Sequence, residues 1–237
     1  MADRRIASNP IAPRRIALVR LATLAFALCA FACAPAIAQP ARKPAPATTA
    51  AAPAAQRTVL VMGDSLSAGY GLAASQGWVS LTARKIAAEK PGWRVVNASI
   101  SGETTAGGAA RIAAELKRHK PAVVVIELGA NDGLRGLPLA QTRANLAKMI
   151  VAARDAKAKV LLIGMRLPPN YGPDYTRGFE AAFRDLAKTH GTAFVPFLLE
   201  PIALDERAFQ ADRLHPIAAA QPKLRDHVWP ALAPLLR

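Results

Sequence analysis

The 237-residue chain carries 31 lysines and arginines against 16 acids, a formal net charge of +15, with 52% hydrophobic but only 5% aromatic residues. That length accommodates one substantial domain with a sizeable core, and the positive charge favours anionic partners. The basic residues are scattered, however, and the aromatic platforms on which single-stranded nucleic acids stack are scarce, so nucleic acid is excluded as a partner.

Residues 1–20 hold Arg4, Arg5, Arg14, Arg15 and Arg20 against Asp3 alone, and residues 21–38 (LATLAFALCAFACAPAIA) are uncharged and alanine-rich. A basic stretch, an apolar stretch and the small residues of Ala36-Ile37-Ala38 read together as a signal peptide over 1–38. A permanent membrane span is the rival reading, disfavoured by the alanine content and Pro35. Arg14-Arg15 matches a twin-arginine signal only loosely, so Sec export fits better. Cys29 and Cys33 both lie in this leader, and Ala30 stands where a lipoprotein signal needs a leucine-like residue. The exported chain is therefore expected to have neither disulfide nor lipid anchor, and to be a periplasmic or secreted monomer. Losing five basic residues and one acid with the leader would leave a charge near +11, suited to anionic lipid or membrane surfaces or to phosphate-bearing substrates.

Residues 39–56 (QPARKPAPATTAAAPAAQ) offer no large apolar side chain to bury and are expected to form an extended, disordered tether. The folded domain is expected over 57–237. Short apolar runs predict strands at 58–62, 93–97, 122–128, 159–165 and 192–197, separated by amphipathic stretches. Val123-Val124-Val125-Ile126 is continuous rather than alternating, as in a central strand covered on both faces. Leu146, Met149, Ile150 and Ala153 recur at helical spacing. A last amphipathic segment, 216–236, would begin with Pro216 at the first helical position. The alternation implies an α/β fold with a five-stranded parallel sheet between layers of helices.

Such sheets hold their ligand sites beyond the carboxyl ends of the strands. After the first run comes Gly63-Asp64-Ser65-Leu66-Ser67, after the second Ser99-Ile100-Ser101-Gly102-Glu103-Thr104-Thr105, after the third Gly129-Ala130-Asn131-Asp132, and after the fifth Asp212-Arg213-Leu214-His215. A serine hydroxyl is a poor nucleophile at neutral pH and needs a base that is itself oriented by a third group. Asp212 and His215, three residues apart, can supply both. His119 and His190, near expected helix ends, and His227, inside the last helix, have structural explanations.

These motifs, with GDSLSAGYGL, VVNASISGETT, ELGANDGLRG, MRLPPNYG and LHP followed by AQP, resemble the SGNH (GDSL) hydrolase superfamily over about 58–230. Within it the chain is similar to the bacterial periplasmic thioesterase I group of acyl-CoA thioesterases, arylesterases and lysophospholipases. The resemblance implies a flavodoxin-like three-layer α/β/α fold and hydrolysis of small acyl esters or thioesters without metal or organic cofactor. It implies Ser65 as nucleophile, Asp212 and His215 completing the triad, and the Ser65 and Gly102 amides with the Asn131 side chain as oxyanion-hole donors. Loops 133–138 and 164–172 resemble the group's substrate-lining loops, with Leu134, Leu137 and Leu167 offering apolar surface to an acyl chain.

The chain departs from the group at Ala130 and at Arg213-Leu214, where glycine and Gly-Ile are common. An α/β-hydrolase elbow would need glycine where Ser67 stands, and would not keep acid and base three residues apart. Gly69-x-Gly71-x-x-Ala74 echoes a dinucleotide fingerprint but starts too far beyond the strand, and is expected to form a flexible rim. The remaining rivals are a carbohydrate O-acetyl esterase of the cell envelope using the same triad, and a noncatalytic envelope-binding module.

Overall fold

The computed structural model describes residues 56–237. The expected leader and residues 39–55 of the expected tether lie outside the described residues. β1 (Arg57–Gly63), β2 (Trp93–Asn97), β3 (Val123–Glu127), β4 (Lys159–Ile163) and β5 (Ala193–Val195) form one parallel sheet in the order β2-β1-β3-β4-β5. That is the doubly wound, flavodoxin-like order. β1 and β3 occupy its middle, and every residue of β3 is buried, which accounts for its unbroken apolar run.

The helices follow their burial periods. α1 (Ser65–Ala68) is a single turn, and α2 (Trp78–Glu89) buries Trp78, Val79, Thr82 and Ile86. α3 (Thr105–His119) leads into β3, α4 (Ala130–Leu134) is short, and α5 (Leu139–Asp155) buries Leu146, Met149, Ile150 and Ala153, the predicted stripe. Leu146, Met149 and Ile150, fully removed from water, each contribute about 1.5–3 kcal/mol. α6 (Pro173–His190) inserts Phe179 and Phe183, and α7 (Gln221–Leu232) buries Leu224, Val228 and Leu232. α2 packs on α7, while α5 packs on both α3 and α6.

The C-terminal segment differs from expectation. Pro216 opens no helix; it forms an isolated antiparallel bridge with Phe209, and α7 begins only at Gln221, behind a 3-10 turn over Ala218–Ala220. Backbone pairing wins over the proline's helical preference. Gln210 N–H donates to the His215 carbonyl at 2.7 Å and Ile217 N–H to that of Ala208 at 2.8 Å, tying 208–217 into a hairpin-like loop. Pro222 stands in the first turn of α7 instead. Gln221 is buried and accepts the Trp78 N–H at 2.8 Å, capping α2, which has no cap of its own.

Candidate active site

The register of the sheet brings the predicted residues together. Gly63 of β1 stands opposite Glu127 of β3, so the turns that follow these two strands emerge side by side. Ser65 is the first residue of α1, whose N-cap is Asp64; the Asp64 carboxylate accepts the Leu66 N–H at 3.0 Å. Gly102 follows β2 in a turn closed by Glu103 N–H donating to the Ile100 carbonyl at 3.1 Å. Its φ of +80° is open to glycine and strained for other residues. Asn131 lies in the first turn of α4.

Asp212 and His215 come from the clamped loop. Asp212 Oδ1 accepts the backbone N–H of Leu214 at 2.9 Å and of His215 at 3.0 Å, so one carboxylate oxygen shapes the turn. Its Oδ2 lies 2.6 Å from His215 Nδ1, and His215 Nε2 lies 2.8 Å from Ser65 Oγ. With the ring proton on Nδ1 and donated to Asp212, Nε2 is left to accept the serine hydroxyl proton. The Tyr70 ring packs against the imidazole at 4.6 Å between centroids. The His215 backbone N–H, its ring and the Leu214 N–H together hold the Asp212 carboxyl down at about 2, so it is ionised wherever the protein is folded and working.

The proposed donors differ in their engagement. Among the described residues, neither the Ser65 nor the Gly102 N–H donates to a protein acceptor. The Asn131 amide instead donates to the Glu103 carbonyl at 3.0 Å and, at a longer 3.3 Å, to Asp64 Oδ2. The turns that carry these groups are bolted to each other. Buried Asp132 accepts the Thr105 N–H at 2.8 Å and the Thr105 hydroxyl at 2.5 Å, and Glu103 forms a two-pronged ion pair with Arg111 at 2.7 and 2.5 Å.

Beneath the serine lies a pair of acids that sequence reasoning did not single out. Asp64 is fully buried and Glu127 nearly so; Glu127 accepts the Ser67 hydroxyl at 2.6 Å. Burial raises the Asp64 carboxyl to about 6, against the bonds from Leu66 and Asn131 and the charge of His215. Burial, then the neighbouring Asp64 charge, pushes Glu127 well above the usual carboxylate range. Asp64 was visible as part of the serine motif; its proximity to Glu127, contributed by another strand, had no local signal.

Ser65 and His215 face a cavity of about 740 Å³. Leu134 and Leu167 line it with Met165, from the 164–172 loop, and with Phe197, Leu199 and Phe209, which lie between β5 and the Asp212 motif in a stretch where no short pattern singled them out. Leu137 is not among the lining residues: it is partly buried beyond the end of α4, where its carbonyl accepts the Tyr175 hydroxyl at 2.7 Å. Gly71, in the segment expected to be a flexible rim, is exposed; a Cβ there would lie 2.2 Å from Gln210 Oε1, whose amide donates to the Tyr70 carbonyl.

The GDSL-like lipase/acylhydrolase family model matches residues 61–221. The chain belongs to that family. It is 55% identical over 183 residues to esterase TesA of Pseudomonas aeruginosa, covering 77% of this chain and 91% of that protein. It is 43% identical over 183 residues to thioesterase 1/protease 1/lysophospholipase L1 of Escherichia coli, covering 77% of this chain and 86% of that one. A crystal structure of TesA superimposes with a TM-score of 0.73 at 54% identity, over 76% of this chain and 99% of the other. This GDSL hydrolase is thus an enzyme of the esterase type with the SGNH fold.

Proposed function

We propose that this hydrolase cleaves carboxylic esters and thioesters of acyl groups, in the manner of an arylesterase, acyl-CoA thioesterase and lysophospholipase, through an acyl-Ser65 intermediate. The observation that carries the reading is the unbroken line from Asp212 Oδ2 to His215 Nδ1 at 2.6 Å and from His215 Nε2 to Ser65 Oγ at 2.8 Å, opening on an apolar cavity. His215 takes the hydroxyl proton as Ser65 Oγ bonds to the acyl carbon, and Asp212 stabilises the imidazolium. The carbonyl oxygen becomes an oxyanion held by the Ser65 and Gly102 amides and by Asn131, whose longer bond to Asp64 is the one to yield. His215 then protonates the departing alcohol or thiol. Water, deprotonated by the same imidazole, attacks the acyl-serine and releases the acid.

The acyl chain is assigned to the wall of Leu134, Met165, Leu167, Phe197, Leu199 and Phe209. Three cavity residues stand out in solvent as an apolar rim, Leu204 at 101%, Tyr70 at 53% and Leu214 at 46% exposure, and this rim is assigned to contact with a lipid or membrane surface. The leader over 1–38 supports an exported, periplasmic or secreted enzyme.

Ser65→Ala is expected to lower kcat by roughly 10⁴-fold or more with the fold intact, as loss of a triad nucleophile does. The check is kcat/KM on aryl esters from acetyl to palmitoyl beside acyl-CoA and lysophospholipid. Medium or long chains should lead. A sharp acetyl optimum would point to a carbohydrate O-acetyl esterase, and inertness of the wild type to a binding module.

A further inference from the structure

Two arginines line the cavity, and their charges are treated differently. Arg166 lies 3.4 Å from Glu180 and 3.0 Å from Glu200, which offset it. Arg213 is exposed, and among the described residues its guanidinium makes no ion pair or hydrogen bond. The adjacent carboxylate is already committed: Asp212 gives Oδ1 to two backbone N–H groups and Oδ2 to His215.

Arg213 also holds an unfavourable backbone conformation, φ +58°. The other non-glycine residues with positive φ, Lys120 and Lys157, stand directly behind α3 and α5, where a left-handed residue closes a helix end. Arg213 closes no helix. The turn imposed by Asp212 would accept glycine without steric conflict, so this chain places a long, exposed cationic side chain here against its conformational preference.

The chemistry gives that position a meaning. His215 hands its proton to the departing alcohol or thiol, so the leaving group departs on the imidazole side, and Arg213 is two residues away on the same turn. We propose that Arg213 is a specificity determinant for esters and thioesters whose leaving group carries phosphate, its guanidinium pairing with that phosphate at the cavity mouth. Guanidinium presents paired N–H donors that match phosphate oxygens. The proposal rests on the serine-hydrolase reading above. The phosphate could be that of a lysophospholipid headgroup or of coenzyme A.

The test uses four substrates sharing one dodecanoyl chain: dodecanoyl-CoA against S-dodecanoyl-N-acetylcysteamine, and 1-dodecanoyl-lysophosphatidylglycerol against monododecanoylglycerol. Arg213→Gly suits the backbone and should fold as well as the wild type. It should lower kcat/KM about fivefold, through KM, on phosphate-bearing substrates only, the scale of one exposed charge pair. The phosphate-free partners should stay within about twofold, Arg213→Lys should recover much of the loss, and added salt should erase the wild-type margin. A loss confined to one pair of substrates would identify lipid headgroup or coenzyme A as the source. An equal loss on all four, or none on any, would overturn the proposal. If the wild type cleaves none of them, or Ser65→Ala cleaves them as well, the hydrolase reading itself falls and Arg213's role with it.

Discussion

The Asn131 amide illustrates how much of this site is set by contacts between residues far apart in sequence. Its two N–H groups meet Glu103 O and Asp64 Oδ2, and only the weaker contact, at 3.3 Å, can be exchanged for an oxyanion without disturbing the turn after β2. Asn131→Ala is therefore expected to lower kcat by about 10²–10³-fold with little change in KM, because the exchange occurs only as charge develops. Steady-state kinetics on one aryl ester checks this, and a change confined to KM would contradict it. The contact line of Ser65, His215 and Asp212, and Asn131 beside it, were legible as one cluster because each follows a strand in a short motif. Asp132 and Glu127 were not, since what makes them matter is a partner 27 and 60 residues away, Thr105 and Ser67. Tyr70 over the imidazole was hidden for the same reason.

Among the elements, the strands were readable because fully buried parallel strands need continuous apolar runs, and the stripe of α5 because burial imposes its period. The ends were harder. The last run was read to 197, yet β5 stops at Val195, where Pro196 has no N–H to extend the ladder. Pro216 was misplaced because its helical preference is local, whereas the hairpin bonds that decide its conformation come from Ala208 and Gln210. A related constraint lies behind β4: a Cβ on Gly164 would sit 2.4 Å from the Pro196 carbonyl oxygen. Gly164→Ala should thus force the ends of β4 and β5 apart, destabilising the fold by about 1–3 kcal/mol, the usual cost of overpacking. Urea unfolding measures it, and wild-type stability would refute the contact.

At the scale of the whole molecule, the positive charge is evident in the sequence, while the destabilising charge is buried and negative. Asp64 titrates near 6 in the folded protein against an ordinary 3.8, so folding favours its protonated form. The stability this provides is complete below about pH 3.8 and is lost as pH rises through 6, a decline of up to about 3 kcal/mol from this group. Asp212, held at about 2, acts in the opposite sense, its contribution being present above 3.8 and lost toward 2. Asp64→Asn keeps an acceptor for the cap of α1 and removes the charge, so its stability relative to the wild type should improve from about pH 4 to 6 and level off above that. Parallel stability profiles for the two proteins would exclude a buried, titrating Asp64. The claim on which everything else depends is that Ser65 is the residue that becomes acylated, and labelling tests it directly. After inactivation by a fluorophosphonate, peptide mass spectrometry should locate one adduct on Ser65, absent from His215→Ala. An adduct on Ser67 or Ser101 instead, or full inactivation with Ser65 unmodified, would contradict the account.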